Sequence, residues 1–435
     1  MTRPIGWWNA RTAVRGIYKI LDRIHLMEKK SACSRREFLA KMSSLPVLMF
    51  GGVHLLSGSQ GARHIAQIDV FPITYPMRGR FKFFEGPDGH MMGRASAVIK
   101  VKADDGTVGW GESVPIPKWS YETLESVTTT IRNYLAPVLV GHEVFDIAGA
   151  HRIVDQNIAP AFGTGQPMAK AGIDIALHDL LGKMTHRSLP EIWGRKAIPS
   201  LLLSYTLNPE SLDDLDALIE DGRNRGYRNF NVKVSPDPEY DLELCRRVKK
   251  RAPEGYLWAD ANGGYDLDTA LKVVPEMAEI GVDILEQPLP ITRITGYQML
   301  KRESPLPILL DEGVVSPANL VEFIRLDLMD GVAMKPARCG GLLPAKRQIE
   351  ITQDAGLLFL GSGLTDPDIS LAATLQLYAA FQYQLPAALN GPQFIRESIL
   401  RDPLIPEQGR LSVPEGPGLG ITVEEAKIRP LLVEL

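Results

Sequence analysis

The chain has 435 residues, 45% of them hydrophobic and 23% charged, and a net charge of −4. It is too long for one small core, ordinary for a globular protein, and without the basic excess that a nucleic-acid partner requires. Its three cysteines (Cys33, Cys245, Cys339) fall in no C-x-x-C spacing, which excludes a cysteine zinc site or a thioredoxin-like motif; all eight histidines lie at or before His186.

Residues 1–62 read as an export signal with its preceding region. Ser34-Arg35-Arg36-Glu37-Phe38-Leu39-Ala40-Lys41 resembles the twin-arginine signal family. The apolar run Leu45 to Leu56 that follows is shorter than the roughly 20 apolar residues a bilayer-spanning helix needs. Cleavage near Ala62 and a periplasmic location are expected, with the membrane a partner only during export. Passengers of this route fold first and often carry a cofactor, so a metal or an organic cofactor is expected.

Residues 63–195 read as an α+β domain. "SAVIKVKADDGTVGWGES" gives two alternating strands joined by a turn at Asp104-Asp105-Gly106. "TLESVTTTIRNYLAPVLVG" and "MAKAGIDIALHDLLGKMTH" carry apolar residues at helical spacing, the second closed by Gly182 and the residues after it.

Residues 196–395 change rhythm. The short apolar runs "SLLLSYTLN", "NFNVKVS", "YLWADAN", "DILEQP", "PILLDE", "GVAMKP", "LLFLGSG" and "PAALNG" recur roughly every 24 to 28 residues, with helical patterns between most of them. Strand–helix alternation means parallel strands with crossover helices, and eight at this spacing fit a closed barrel. An open doubly wound sheet would call for a glycine-rich turn after the first strand, and "LSYTLNPES" offers none. Residues 396–435 read as a strand, a turn and a short helical end that returns to the first domain.

Active sites of such barrels lie at the carboxyl ends of the strands. The second run ends in Lys233, the third in Asp260 and Asn262, and the fourth in Glu286. The fifth ends in Asp311 and Glu312, the sixth in Lys335 and the eighth in Asn390. One acidic residue after a strand is usually a helix cap or turn former. Three on consecutive strands, Asp260, Glu286 and Asp311, would repel one another unless a cation joins them, and oxygen ligands without histidine or cysteine select Mg2+, or Mn2+. Lys233 and Lys335 would then face a substrate α-carbon from opposite sides. A lysine acting as base must be neutral, and a metal, a second lysine and partial burial would all lower its pKa.

With these residues named, the chain resembles the enolase superfamily, in its muconate-lactonizing-enzyme subgroup of the mandelate racemase/muconate lactonizing enzyme family. "WGES", "DANGGY", "EQPL", "DE", "MKPARCGG" and "GPGLGI" carry the resemblance. It implies a (β/α)7β TIM-like barrel, an N-terminal α+β capping domain completed by the C-terminal segment, metal ligands at Asp260, Glu286 and Asp311, and acid/base lysines at Lys233 and Lys335. The family's Lys-x-Lys on the second strand is here Asn231-Val232-Lys233, so Asn231 points inward without charge. The eighth run reads "LNG", with Asn390 where dipeptide epimerases of the family use an aspartate pair. Asp366 and Asp368 are candidates to substitute for that pair, or else helix caps. Asn231, Asn262, Glu312 and Asn390 are expected to bind substrate. So are Phe83 and His90, from a capping loop that also holds Phe81 and Phe84; Trp119 lies in a second such loop, and these aromatics either close over substrate or pack the domain interface.

The expected partner is a small-molecule carboxylate, and a homo-oligomer is expected. The expected reaction is α-proton abstraction giving racemisation, epimerisation or cycloisomerisation. A dehydratase and a non-catalytic carboxylate-binding protein are the alternatives.

Overall fold

The computed structural model describes residues 63–160, 163–234 and 237–435; the export signal expected within residues 1–62 lies outside them. Strands β1 (Ile65–Tyr75), β2 (Arg94–Ala103) and β3 (Val108–Ser113) form an antiparallel sheet in that order. The β2–β3 turn falls where Asp104-Asp105-Gly106 placed it, with Gly106 at φ 90°.

Helix α1 (Leu124–Thr130) opens on a capping box, in which Thr123 and Ser126 satisfy each other's backbone N–H groups. It runs through a π-helical turn (Ile131–Leu135) into α2 (Ala136–Leu139), followed by α3 (Ile147–Asn157), α4 (Pro167–Thr185) and α5 (Leu189–Ile192). Sixteen of the nineteen residues of α4 are buried, so this helix is a central pillar and not a surface one. Gly111 makes that possible: a Cβ there would lie 2.0 Å from Gly172 O on α4. Gly182 and the residues after it close α4 as expected: the helix ends at Thr185, and His186, in the left-handed region (φ 53°), bonds its N–H back to Gly182 O. Gly182 also leaves room for the tail, since a Cβ there would meet Gly418 Cα at 2.3 Å.

The barrel follows. After β4 (Ser200–Leu202) come β5 (Ser204–Leu207), α6 (Leu215–Asn224), β6 (Asn229–Lys233), α7 (Pro238–Arg251), β7 (Leu257–Asp260), α8 (Leu267–Ile280), β8 (Ile284–Glu286) and α9 (Ile294–Glu303). Then come β9 (Ile308–Leu310), α10 (Pro317–Arg325), β10 (Gly331–Met334), α11 (Leu342–Asp354), β11 (Leu358–Gly361) and α12 (Asp368–Ala380). Strands β5 to β11 form one parallel seven-stranded sheet in chain order. Short runs apolar on both faces suit such strands, which face helices outside and the barrel interior within. The eighth run closes the ring through single parallel bridges, Leu203 with Ala387 and Ser362 with Ala388. This is the expected (β/α)7β architecture with its capping sheet. Trp258, Ile284, Leu309, Ala333, Leu360 and Ala388 fill the interior as one buried layer.

The tail adds α13 (Gly391–Phe394), β12 (Arg410–Ser412) and α14 (Glu425–Ile428). Strand β12 pairs antiparallel with β4, and Leu432 then bridges Ile73 of β1. Asp179 of α4 joins three segments: its Oδ2 accepts from Trp110 N at 2.8 Å and Lys183 Nζ at 2.7 Å, and its Oδ1 from Leu419 N at 3.0 Å. "WGES" and "GPGLGI", far apart in sequence, meet on this carboxylate.

Candidate active site

Parallel pairing fixes which side chains share the rim. Lys233 on β6 lies opposite Asp260 on β7, and Asp260 lies opposite Glu286 on β8. Residues opposite one another on adjacent strands project to the same face, so these three form one row across the sheet. Asp311 follows β9, and its backbone N donates to Gln287 Oε1 at 2.8 Å. Gln287, the middle residue of "EQP", is wholly buried at φ 40°; its Nε2 donates to Tyr297 Oη at 2.6 Å and Leu289 O at 2.9 Å. It is a brace that fixes the approach of one carboxylate to the next.

The acidic trio is buried, each member 1% exposed or less, and cations stand on both sides of it. Lys233 is ion-paired with Asp260. Lys335, after β10, reaches Glu286 Oε1 at 3.2 Å and is ion-paired with Asp311. Arg338 is ion-paired with Asp311 and donates to Ala333 O at 2.8 Å. From below, Trp258 Nε1 donates to Glu286 Oε2 at 2.6 Å. Among the described residues, no three acidic, histidine or cysteine side chains are gathered closely enough to hold a metal ion as they stand.

The electrostatics follow from burial and proximity. Burial, reinforced by Asp260, holds the Glu286 carboxyl well above its usual range against the pull of Lys335. Burial also pushes Asp311 up, but Lys335 and Arg338 outweigh it and bring the carboxyl down to about 2. Lys335 corrects an expectation: burial lowers its pKa, yet Asp311 and Glu286 outweigh that and hold the ammonium above its usual range. Glu312 is part-exposed as a residue, but its Oε2 is enclosed, and burial together with Asp311 and Asp260 pushes its carboxyl well up.

The remaining sequence-predicted residues divide. Asn262 adopts φ 46°, caps Asp260 Oδ1 through its backbone N at 2.9 Å, and has a buried Oδ1 without a hydrogen-bond partner. Asn390 donates to Thr206 Oγ1 at 3.2 Å and likewise has an unpartnered Oδ1. Asn231 is buried and donates to Trp258 O at 3.4 Å. Trp119 lies over Lys335, its ring centroid 5.4 Å from Nζ. Phe81 and Phe84 are buried in the cap core and Phe83 packs against it half-buried, whereas His90 is exposed in the turn after Gly86.

Asp366 and Asp368 stand in a separate buried network at the start of α12. Asp366 accepts from Ser370 Oγ at 2.9 Å and Leu364 N at 3.2 Å; Asp368 accepts from Ser398 Oγ at 2.7 Å and Ile399 N at 2.6 Å. Sequence reasoning missed Arg338 and Trp258 as rim residues. Arg338 was available three residues after Lys335 inside "MKPARCGG", and Trp258 by period two from Asp260.

A parallel barrel whose carboxyl rim gathers acids and flanking lysines under an α+β cap belongs to the class of barrel proteins that carry acid–base chemistry at that rim. The comparisons identify which one. Residues 89–194 match the model described as the mandelate racemase / muconate lactonizing enzyme N-terminal domain, and residues 214–427 the model described as enolase C-terminal domain-like. Chloromuconate cycloisomerase of Pseudomonas sp. (strain P51) is 31% identical over 339 residues, covering 76% of this chain and 90% of that protein. The chain belongs to the enolase superfamily, in its muconate-lactonizing, cycloisomerase-like subgroup. N-succinyl-L-Arg/Lys racemase of Bacillus cereus is 25% identical over 374 residues, covering 85% of this chain and 98% of that protein. A solved muconate lactonizing enzyme from Pseudomonas fluorescens, in complex with muconolactone, superposes with a TM-score of 0.80 at 25% identity, over 86% of this chain and 100% of that one.

Proposed function

We propose that this chain removes the α-proton of a carboxylate substrate, with Lys233 and Lys335 exchanging protons on opposite faces of one carbon. Racemisation or epimerisation of an amino-acid derivative, or cycloisomerisation, is the outcome. The observation that carries this reading is the placement of the two ammonium groups, one on Asp260 and the other on Glu286 and Asp311, at the two ends of a single acidic row. The racemase and cycloisomerase names among the relatives agree with it.

The donor set fits a hard divalent cation. It consists of oxygens from three consecutive strands, with unpartnered buried oxygens of Asn262 and Glu312 beside them. Asp260, Glu286 and Asp311 would hold Mg2+ or Mn2+. Bound there, the ion would supply positive charge to a carboxylate that gains charge as its α-proton leaves. The chain's own residues do the rest: Lys233 and Lys335 take and return the proton, Gln287 and Trp258 hold the carboxylates in place, and Trp119 limits water above Lys335.

The test is α-deuterium incorporation in D2O with Mg2+ added, across N-acylated amino acids, dipeptides, hydroxyprolines and muconate-like diacids. Exchange that disappears in Lys335→Ala is expected; exchange untouched by that change would overturn the assignment, and loss of water in place of exchange would make the enzyme a dehydratase. Export is proposed on the Ser34 to Lys41 pattern. Replacing Arg35 and Arg36 with Lys should trap the protein in the cytoplasm, and an unchanged distribution would sink the idea.

A further inference from the structure

Helix α11 starts without a cap of its own. Its N-cap residue is Gly341, at φ 110°, which has no side chain to accept from the first turn, and that turn holds no acidic residue. The first N–H groups of a helix need acceptors from elsewhere. Asp174, in the middle of the cap helix α4, supplies one: its Oδ2 accepts from Leu342 N. Gly341 makes the approach possible, since a Cβ there would lie 2.3 Å from Asp174 Oδ2 and 2.4 Å from Asp174 Cβ. A helix of the barrel is thus capped from the capping domain, by a residue 168 positions earlier in the chain.

The Asp174 carboxylate is itself held on two sides. It is buried, and its Oδ1 accepts from His151 Nε2 of α3 at 2.6 Å. His178, one turn further along α4, bonds Asp174 O through Nδ1 at 2.9 Å, with Oδ2 3.3 Å away. The His178 ring meets the Trp193 ring edge-on, with centroids 5.9 Å apart. Burial alone would raise the Asp174 carboxyl; the two imidazoles outweigh it and hold it well below the usual range. What Asp174 holds matters because of what precedes Leu342. Between Lys335 and Gly341 the backbone folds on itself: Arg338 N donates to Lys335 O at 3.1 Å, and Cys339 N and Gly341 N donate to Pro336 O at 3.1 and 3.0 Å. A shift at Leu342 therefore reaches Arg338 and Lys335 through a hydrogen-bonded run and not through slack chain. Lys233 has no such tie: among the described residues, no hydrogen bond joins α4 to the segment after β6.

We propose that Asp174 is a positioning residue for the Lys335 side of the active site: by capping α11 from α4 it sets where the turn 335–341 places the Lys335 ammonium, and it leaves Lys233 to its own strand. This rests on the proton-abstraction reading, in which the two lysines serve opposite faces of one carbon. Proton transfer tolerates little misplacement, and an error of about 1 Å in a reacting group costs about 100-fold in rate. The consequence is a one-sided defect. Loosening the cap of α11 slows transfer at one face of the carbon and spares the other.

The test follows α-deuterium exchange separately in the D and L forms of an N-acylated amino acid, on the full chain with Mg2+ in D2O. Lys233→Ala identifies the form that presents its hydrogen to Lys233; the other form presents it to Lys335. Asp174→Ala should lower kcat about 10- to 100-fold for the Lys335-facing form with KM little moved, and for the Lys233-facing form by less than about 3-fold. Asp174→Asn, whose amide oxygen still accepts from Leu342 N, should keep most of the unaltered rate. Equal losses on the two forms, or none on either, would overturn the proposal. Should Asp174→Ala fail to fold, Gly341→Ala breaks the same contact from the α11 side and should give the same asymmetry. Backbone hydrogen exchange read by mass spectrometry tests the cap without any turnover. Asp174→Ala, or Gly341→Ala in its place, should lose protection over residues 335–345 while β6 and β7 keep theirs; unchanged protection would end the proposal. Deuterium entering neither form in the unaltered enzyme would instead count against the proton-abstraction reading, and the protection measurement would still decide the role of Asp174.

Discussion

Two of the buried charged clusters among the described residues solve the same problem in opposite ways. The first welds the cap to the barrel. Glu112 Oε1 accepts from Ser96 Oγ at 2.7 Å and Tyr75 Oη at 3.0 Å, and its Oε2 from the N–H groups of Ile369 and Ser370 at 3.0 and 3.1 Å, in the first turn of α12. Arg94 donates to five backbone carbonyls, those of Ala95, Val114, Pro115, Leu364 and Thr365. Neutral dipoles satisfy both oxygens of Glu112 and fix one geometry. The second cluster, the rim, meets charge with charge and leaves Asn262 Oδ1, Glu312 Oε2 and Asn390 Oδ1 unpartnered. A structural cluster is complete in itself, whereas a site built to meet something else keeps unspent donors and acceptors aimed at it.

The largest expected effect falls on the rim. Lys335→Ala should lower α-proton exchange by about 100- to 10,000-fold, the usual contribution of a positioned acid or base, while circular dichroism stays that of the folded chain. Undiminished exchange would place the rim with the structural clusters.

Next comes the weld. Arg94→Met should destabilise the protein by about 3 kcal/mol, because five carbonyls lose a charged donor in a site that excludes water. Urea denaturation measures it; a loss below about 1 kcal/mol would mean that the weld relaxes or admits water.

The weld also carries a pH signature. Burial, then Asp368, pushes Glu112 up from 4.5 to about 7, against the pull of its hydrogen bonds. A carboxyl whose folded pKa is raised holds its proton longer in the folded state. Stability is therefore full below pH 4.5 and falls as pH climbs toward 7. Glu112→Gln should flatten that decline by about 2–3 kcal/mol, since its amide can face the Ser96 and Tyr75 hydroxyls while its oxygen keeps the two backbone donors. A pH–stability profile identical to that of the unaltered chain would contradict this.

The smallest effect separates the clusters most sharply. Glu312→Gln removes a carboxylate that Asp311 and Asp260 both disfavour, and should raise thermal stability by about 1 kcal/mol. Stability gained together with exchange lost is the mark of a site held against its own electrostatics. A loss of stability would mean that the Glu312 charge is compensated where it stands.

Much of this was legible in order along the chain. Strands alternating with helices must run parallel, and parallel strands put their carboxyl ends on one rim, so Lys233, Asp260, Glu286, Asp311 and Lys335 could be named as neighbours from sequence. Asp366 and Asp368 were less legible: short carboxylates beside a helix start favour capping, yet the backbone groups they bind are Leu364 N and Ile399 N, outside α12. What the folded chain alone decided is distance through space. The row Lys233–Asp260–Glu286 depends on strand register, which the run boundaries leave open by a residue. The bond from Trp258 to Glu286 crosses between strands, and the Arg338–Asp311 pair joins two strand ends. The stack of Phe81 on Phe394 joins segments more than three hundred residues apart. The sequence by itself determined which chemical groups stand at which strand ends, since local periodicity encodes topology. Which of those charges are compensated, and which are left reaching for a ligand, was settled by tertiary packing, because Coulomb and hydrogen-bond energies depend on separation and burial that no local pattern encodes.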